Sequence, residues 1–184
     1  MSRTLQCRCG SAHPLTTLLL APGLPAMGCR DCGAVLLQMD DWRRWRSASP
    51  AEQAPATEQA LAHDHAQASA CPACGRFMAR LPVDAGGAFR VDRCVPCQLV
   101  WLDRGEWQAL TERGLARQLD VLLSDAGQRR IQADRLQAAR LQTLRQRHGD
   151  DCIDEVLRIR AWLAGQAQPG EILALLRANE ALEP

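Results

Sequence analysis

The chain has 184 residues, of which 47% are apolar and 23% charged, and its formal net charge is +1. This composition is typical of a globular protein, and it gives no support for a strongly basic nucleic-acid binder. No stretch approaches the roughly 20 apolar residues of a membrane span, and no leader pattern opens the chain, so we expect a cytoplasmic protein without a membrane partner.

Residues 1–46 contain two cysteine pairs, Cys7 with Cys9 and Cys29 with Cys32. Thiols of a cytosolic chain stay reduced, so clustered cysteines there are more typical of metal ligands than of disulfides. We predict one zinc site of these four cysteines, although the first pair is one residue shorter than a full Cys-x-x-Cys motif. His13 is an alternative ligand, which the presence of four cysteines disfavours.

Residues 47–70 are rich in alanine, proline, glutamine and serine and show little apolar periodicity. This composition predicts a flexible linker. His63 and His65 lie in it, and we favour solvated histidines over metal ligands.

Residues 71–110 contain two complete Cys-x-x-Cys motifs, Cys71 with Cys74 and Cys94 with Cys97. Two such motifs separated by about 20 residues are the ligand pattern of structural zinc. A tight turn places both thiols of each motif on one side of the backbone, and a following glycine lets the backbone amides curl toward sulfur. We therefore predict a second zinc site here.

Secondary structure between and after these motifs follows from local patterns. Segments 76–83 and 88–93 have strand character around a turn at 84–87, which predicts a hairpin that brings the two ligand pairs together. A helix follows, with Asp103 as its predicted N-cap and Glu106 completing a capping box.

An offset of 65 residues aligns the two cysteine-rich regions, which indicates an internal repeat. The offset places Cys9, Cys29, Cys32, Val35, Leu37 and Trp42 on Cys74, Cys94, Cys97, Val100, Leu102 and Trp107. The predicted fold is therefore a small metal-stapled α+β fold. It consists of two tandem zinc ribbons, each a short β-hairpin with a following helix, two Zn²⁺ per chain and an α-helical C-terminal tail.

The second copy also resembles a known family. The bacterial zinc-ribbon family named after the ribbon of transcription factor IIB has the motifs that read here Cys71-Pro-x-Cys74-Gly75, Cys94-x-x-Cys97 and Trp101-Leu102-Asp103-Arg104-Gly105-Glu106. The resemblance covers residues 71–110 and implies zinc ligation by the four cysteines. The sequence departs from the family at Gln98, where a glycine is usual, and the first copy departs further, with Leu36-Leu37-Gln38 in place of Trp-Leu-Asp.

The tail divides into two segments of opposite charge. Residues 111–148 carry eight arginines and four acids, with a helix predicted at 128–148 after a break at Gly127, whereas 149–184 carry three arginines and seven acids and read as a helical hairpin. These charges favour pairing between the two segments. Cys152 is predicted to be a small buried core residue, and Trp162 is predicted to anchor either that core or an interface.

We expect a non-enzymatic protein, because four thiolates close a zinc site and no nucleophile motif or phosphate-binding loop is present. The leading hypothesis is an adaptor or regulatory protein whose tail binds a protein partner or a second copy, without a small-molecule substrate. The alternative is transcription-related nucleic-acid binding through ribbon edges or the helix at 128–148. A third hypothesis is thiol redox chemistry at the sites, near which lie Arg8, Arg30, Arg76 and Arg93.

Overall fold

The computed structural model describes residues 4–48, 69–87 and 90–178. The strands there are β1 (Thr16–Ala21), β2 (Leu24–Gly28), β3 (Val35–Gln38), β4 (Ala79–Pro82), β5 (Arg90–Cys94) and β6 (Leu99–Leu102). The helices are α1 (Met39–Ala48), α2 (Glu106–Glu112), α3 (Leu119–Leu122), α4 (Asp125–His148), α5 (Asp150–Ala164) and α6 (Pro169–Arg177). The predicted α+β class is confirmed. Most of the predicted linker, with His63 and His65, lies outside the described residues.

Both copies of the repeat contribute to one antiparallel sheet with the strand order β1-β2-β3-β6-β5-β4. Strands β3 and β6 pair at its centre, with Leu36 opposite Trp101 and Val35 opposite Leu102. Leu36 and Trp101 occupy the same position of the repeat, so this register is symmetric about them. The two copies are thus the halves of a sheet with an internal pseudo-two-fold axis, a pairing that the sequence pattern did not predict.

The two faces of this sheet carry separate apolar clusters. Alternate side chains of β3 and β6, including Leu37 and Val100, pack with Trp42 and Trp107 on one face, which the helices α1 and α2 cover. The side chains between them, including Trp101, pack with cysteines on the opposite face. Because both faces are covered, β3 and β6 read in the sequence as nearly continuous apolar runs.

A hairpin links the outer strands of each half. In the first half, Pro22 and Gly23 alone separate β1 from β2, and Gly23 has φ 77°, the positive value that a type II turn requires of the residue after its proline. In the second half, the predicted hairpin is confirmed, and the Gly87 N–H donates to Asp84 Oδ1 at 2.7 Å within its turn.

The helix after β6 begins differently from the prediction. Its N-cap is Gly105, with φ 87° and no side-chain capping bond, so the assignment of Asp103 as N-cap is wrong. Only half of the predicted capping box forms, since the Glu106 carboxylate accepts the Asp103 N–H at 2.8 Å. The Asp103 carboxylate instead accepts the Trp101 indole N–H at 3.0 Å, because Trp101 lies two residues away on the same side of the chain.

The predicted tail helices are present, with one boundary corrected. Helix α4 begins at Asp125, and Gly127 lies inside its first turn and does not break it. A Cβ at Gly127 would lie 2.0 Å from the Val121 carbonyl oxygen, so close approach of the backbone explains the glycine. Helix α5 and helix α6 form the predicted hairpin, and Pro169 is in the first turn of α6 as expected.

The chain divides into two compact units, Met1–Asp134 and Arg135–Pro184. Within the second unit, Arg145 pairs with Asp150 at 3.0 Å and with Asp154 at 2.5 Å, which is the kind of pairing that the segment charges favour. Cys152 is exposed, so its prediction as a buried core residue is wrong. Its neighbour Ile153 is the buried residue of that turn instead. No described helix has the length and apolar character needed to cross a membrane.

Candidate metal centres

The second copy gathers Cys71, Cys74, Cys94 and Cys97 into one cluster, with all four Sγ atoms within 4.8 Å of one another. Cys94 ends β5, and Cys97 lies in the tight turn before β6. The Sγ atoms of Cys74 and Cys94 are 3.7 Å apart. Four sulfurs at about 2.3 Å from a tetrahedral ion are about 3.8 Å apart, so this cluster has the dimensions of a metal site.

The first copy gathers Cys7, Cys9, Cys29 and Cys32 within the same 4.8 Å limit. Sγ distances are 3.5 Å between Cys7 and Cys32 and 3.7 Å between Cys9 and Cys29. The missing residue between Cys7 and Cys9 therefore does not prevent a four-sulfur cluster. The structure thus places all eight predicted ligands in two sets, each of which could hold a metal ion.

Turns of the backbone shape each ligand pair. The Gly33 N–H donates to the Cys29 carbonyl at 3.0 Å, and the Gly75 N–H donates to the Cys71 carbonyl at 2.8 Å. The residue after the second cysteine of every pair has a left-handed backbone, and these residues are Gly10, Gly33, Gly75 and Gln98. In the part of the chain that the structure describes, Gln98, with φ 53°, is the one residue other than glycine that has a positive φ. The position at which the sequence departs from the glycine pattern is therefore conformationally the same as the others.

Burial and hydrogen bonds shift the pKa values of individual thiols in different directions. Burial raises the pKa of Cys29, but backbone N–H groups of Cys32 and Asp31 outweigh burial and bring it to about 7. The backbone N–H of Arg76 and the thiol of Cys97 lower the pKa of Cys74 to about 7. Hydrogen bonding to Cys74 and burial raise the pKa of Cys97 to about 12. The thiols of Cys29 and Cys74 therefore lose their protons more readily than a free thiol, whereas a divalent cation would have to displace the proton of Cys97.

Among the described residues, His13 and Cys152 belong to neither four-cysteine set. His13 is exposed, with Nδ1 3.8 Å from Asp31, and does not belong to the first cluster. Cys152 lies in the other compact unit. The histidines of the predicted linker lie outside the described residues.

Arg8, between two predicted ligands of the first copy, contacts the second copy. Its Nη1 atom is 2.5 Å from the Asp92 carboxylate, and its guanidinium lies 4.4 Å from the centre of the Trp101 ring. Its Nη2 also contacts the Met78 sulfur. Burial raises the pKa of Asp92, and Arg8 opposes that rise. No pattern in the sequence predicts these contacts, because the repeat does not show how its copies pair.

The other three arginines near the cysteines have different environments. Arg93 donates to the Leu123 carbonyl at 2.5 Å, which ties β5 to the segment after α3. Arg30 and Arg76 are exposed. Of these four arginines, Arg8 is therefore the one whose contacts among the described residues join the two copies.

Sequence and structure comparisons find no matching family profile, curated protein or solved structure for this chain. The resemblance to the zinc-ribbon family thus stays a prediction that depends on the quoted motifs alone.

Proposed function

We propose that the chain is a zinc-binding, non-enzymatic adaptor or regulatory protein built from two zinc ribbons that share one sheet. The observation that carries this proposal is the pair of four-cysteine sets with tetrahedral spacing. Thiolates favour zinc over the hard cations calcium and magnesium, and the motifs of the second copy are similar to those of the zinc-ribbon family.

A structural role for the ions follows from the number of ligands. Four thiolates complete the tetrahedron of zinc, so no position is left for water or substrate. A cleft of about 580 Å³ on the cysteine face has mostly apolar walls, and Asp41, its one carboxylate, is paired with Arg44. The one thiol in its walls is that of Cys97, a predicted zinc ligand, so this lining supports a non-enzymatic role.

The adaptor role is supported by the apolar surface of the second unit. Trp162 of α5 is 54% exposed, and Leu175 and Leu176 of α6 are 52% and 65% exposed. No residue of α6 is buried within the described chain. A helix of nine residues is marginal by itself in water, so this surface favours a covering protein partner or a second copy.

Metal content tests the first part of the proposal. We expect two zinc ions per chain by elemental analysis and by native mass spectrometry, and loss of sheet structure when a chelator removes them. The matched variants are Cys94→Ser with Cys97→Ser, which remove two ligands, and Cys152→Ser, which removes a thiol outside both sets. A metal-free wild-type protein that keeps its circular dichroism would overturn the proposal.

Mutation of the tail tests the adaptor role without disturbing the sheet. We expect Trp162→Ser with Leu176→Ser to change the oligomeric state by light scattering or to abolish capture of a partner by the immobilised chain. Leu19→Ser is the matched control, since Leu19 is 67% exposed on the edge strand β1. Unchanged association in the tail variant would contradict an interaction role for this surface.

A second candidate function is nucleic-acid binding through α4. The exposed arginines Arg129, Arg130, Arg140 and Arg147 make no ion pair among the described residues, whereas Arg145 is paired. If α4 binds phosphates, replacing Arg140 and Arg147 with glutamine should weaken binding to a nucleic-acid pool and reduce its salt dependence. Absence of binding at low salt would exclude this function.

A further inference from the structure

The two four-cysteine sets share one apolar cluster. Cys7 and Cys29 of the first set and Cys71 and Cys94 of the second are buried with Leu36, Met78 and Trp101 on the same face of the sheet. Leu36 and Trp101 form the central cross-strand pair of β3 and β6. A change of structure at one set therefore reaches the other through residues in direct contact.

Arg8 provides the polar part of this connection. The ligands Cys7 and Cys9 flank it, so a metal in the first set would fix its backbone on both sides. Its guanidinium contacts Asp92 and Trp101, which are cross-strand partners in the β5–β6 pair. Cys94 ends β5, and Cys97 lies in the turn between β5 and β6. By contacting both strands, Arg8 therefore stabilises the part of the sheet that positions these two ligands of the second set.

The partner of Arg8 is a buried charge. The side chain of Asp92 is 8% exposed and that of Arg8 is 16% exposed. A carboxylate in such a place is strongly destabilised when its cationic partner leaves, because water cannot replace the lost interaction. Arg80 is a second cation near Asp92, so loss of order at the first set would remove the cation that bonds Asp92 directly and would thereby weaken the second half of the sheet.

We propose that the two sites bind metal with positive cooperativity, and that Arg8 is the positioning residue that couples them. This inference rests on the proposed zinc-binding function. Binding of metal at the first site orders the backbone around Arg8, and the guanidinium of Arg8 then compensates the buried negative charge of Asp92. This ion pair stabilises β5 and β6, so that Cys94 and Cys97 are in position to bind the second metal ion. Linkage requires the reverse effect to be equally large, and coupling between sites is typically about 5- to 150-fold in affinity.

Cobalt titration of full-length protein tests the coupling, because cobalt bound to thiolates absorbs visible light. The affinity of the second site is measured in the wild-type chain, in Arg8→Gln, in a variant without the first site (Cys29→Ser with Cys32→Ser), and in the combination of both changes. We expect the loss of the first site to weaken the second by about 5- to 150-fold, Arg8→Gln to weaken it comparably, and the combination to add little.

The matched control is Arg30→Gln. Arg30 lies between Cys29 and Cys32 as Arg8 lies between Cys7 and Cys9, but it is exposed and makes no ion pair among the described residues. Its replacement should leave the affinity of the second site unchanged. Asp92→Asn should rescue Arg8→Gln, since the neutral amide no longer needs a cation, and this rescue distinguishes a specific coupling from general loss of stability.

Native mass spectrometry with limiting zinc gives a second measurement that needs no cysteine variants. We expect Arg8→Gln to raise the share of the one-metal form relative to the wild type. Equal second-site affinity with and without the first site would overturn the cooperativity, and fully additive effects of the two changes would overturn the role of Arg8. Protein that binds no metal would instead refute the proposed function, so the two failures are distinguishable.

Discussion

The two copies of the repeat build the same half-sheet with different local structures. The first copy has the shorter Cys-x-Cys pair, a two-residue hairpin turn and the ten-residue helix α1. The second copy has two full motifs, seven residues of sequence between β4 and β5, and the seven-residue helix α2. Both copies nevertheless place four sulfurs within 4.8 Å of one another. The turn at each cysteine pair therefore matters more for ligand geometry than the length of the hairpin.

Hairpin register shows which differences the fold tolerates. Gly28 pairs with Thr16 in the first copy, and Arg93, at the same repeat position, pairs with Ala79 in the second. By the repeat offset of 65, the position equivalent to Thr16 is Leu81, so the two hairpins differ in register by two residues. A shift of two keeps every side chain on its own face, whereas a shift of one would exchange the faces.

Among substitutions at equivalent positions of the two copies, those of the two tryptophans should differ most in their effect on the free energy of unfolding. Trp42 is fully buried, and its indole N–H donates to the Ala116 carbonyl at 2.8 Å, which joins the first copy to the segment after α2. Trp107 is also buried but packs edge-on against Trp45 at 5.9 Å, and its indole makes no hydrogen bond among the described residues. We expect Trp42→Ala to lower the free energy of unfolding by about 3–5 kcal/mol, and Trp107→Ala to lower it by less.

Urea unfolding followed by far-ultraviolet circular dichroism, at constant excess zinc, measures this difference. Phenylalanine variants distinguish the stability contributed by the indole hydrogen bond from that contributed by the volume of the side chain. Trp42→Phe should cost about 1–3 kcal/mol because it leaves the buried Ala116 carbonyl without its donor. Trp107→Phe should cost less. Equal costs for the two phenylalanine variants would show that the bond to Ala116 contributes nothing specific to the first copy.

A smaller change in the free energy of unfolding is expected from substitution of Gly28, at which the hairpin strands of the two copies differ. A Cβ at Gly28 would lie 2.2 Å from Leu18 Cδ2, whereas the equivalent Arg93 extends to the Leu123 carbonyl. Gly28→Ala should therefore overpack the first hairpin and cost about 1–3 kcal/mol in urea unfolding. Combining it with Leu18→Ala should cost less than the sum of the two changes. Strict additivity would mean that the contact with Leu18 is not the reason for the glycine.

Cysteine spacing and apolar runs were sufficient to predict much of the fold. The strand character of 76–83 and 88–93 around the turn residues at 84–87 predicts a hairpin, and the structure has that hairpin. Such predictions succeed because they depend on residues near one another in the sequence. The charges of the tail segments likewise favoured ion pairing, and Arg145 pairs with two nearby aspartates.

The pairing of the copies and the contacts of Arg8 were not predictable in this way. The pairing of β3 with β6 joins strands that are 65 residues apart in the repeat, and many registers bury the same apolar side chains. Arg8 contacts Asp92 across 84 residues of sequence. The error at Cys152 has a related cause, since tertiary packing decides which side of α5 is buried. The error at Asp103 has a local cause, because its carboxylate accepts the indole N–H of Trp101, two residues away.

The smallest expected change in the free energy of unfolding concerns the residue after each cysteine pair, whose backbone is in the left-handed region. Gln98 has φ 53°, where Gly33 of the first copy has φ 73°, and a side chain in this region costs roughly 1–2 kcal/mol. Part of this cost is offset by the Gln98 amide, which donates to the Val95 carbonyl at 2.8 Å and accepts from Arg43 at 3.0 Å. Gln98→Gly should therefore raise the free energy of unfolding by up to about 1 kcal/mol, after allowance for the greater entropy of an unfolded glycine.

Two matched substitutions separate backbone strain from crowding. Gly75→Ala places a Cβ where no atom lies within 4 Å, so its cost comes from φ alone, whereas a Cβ at Gly33 would lie 3.2 Å from Arg104 Cδ. We expect Gly75→Ala to cost roughly 1–2 kcal/mol and Gly33→Ala to cost more, both by urea unfolding in excess zinc. Gln98→Ala should be less stable than wild type, because it keeps the strain and loses both side-chain hydrogen bonds. If Gln98→Gly were also less stable than wild type, the hydrogen bonds of the amide would outweigh the backbone strain, and glutamine would be the better residue after the last cysteine pair of the second copy.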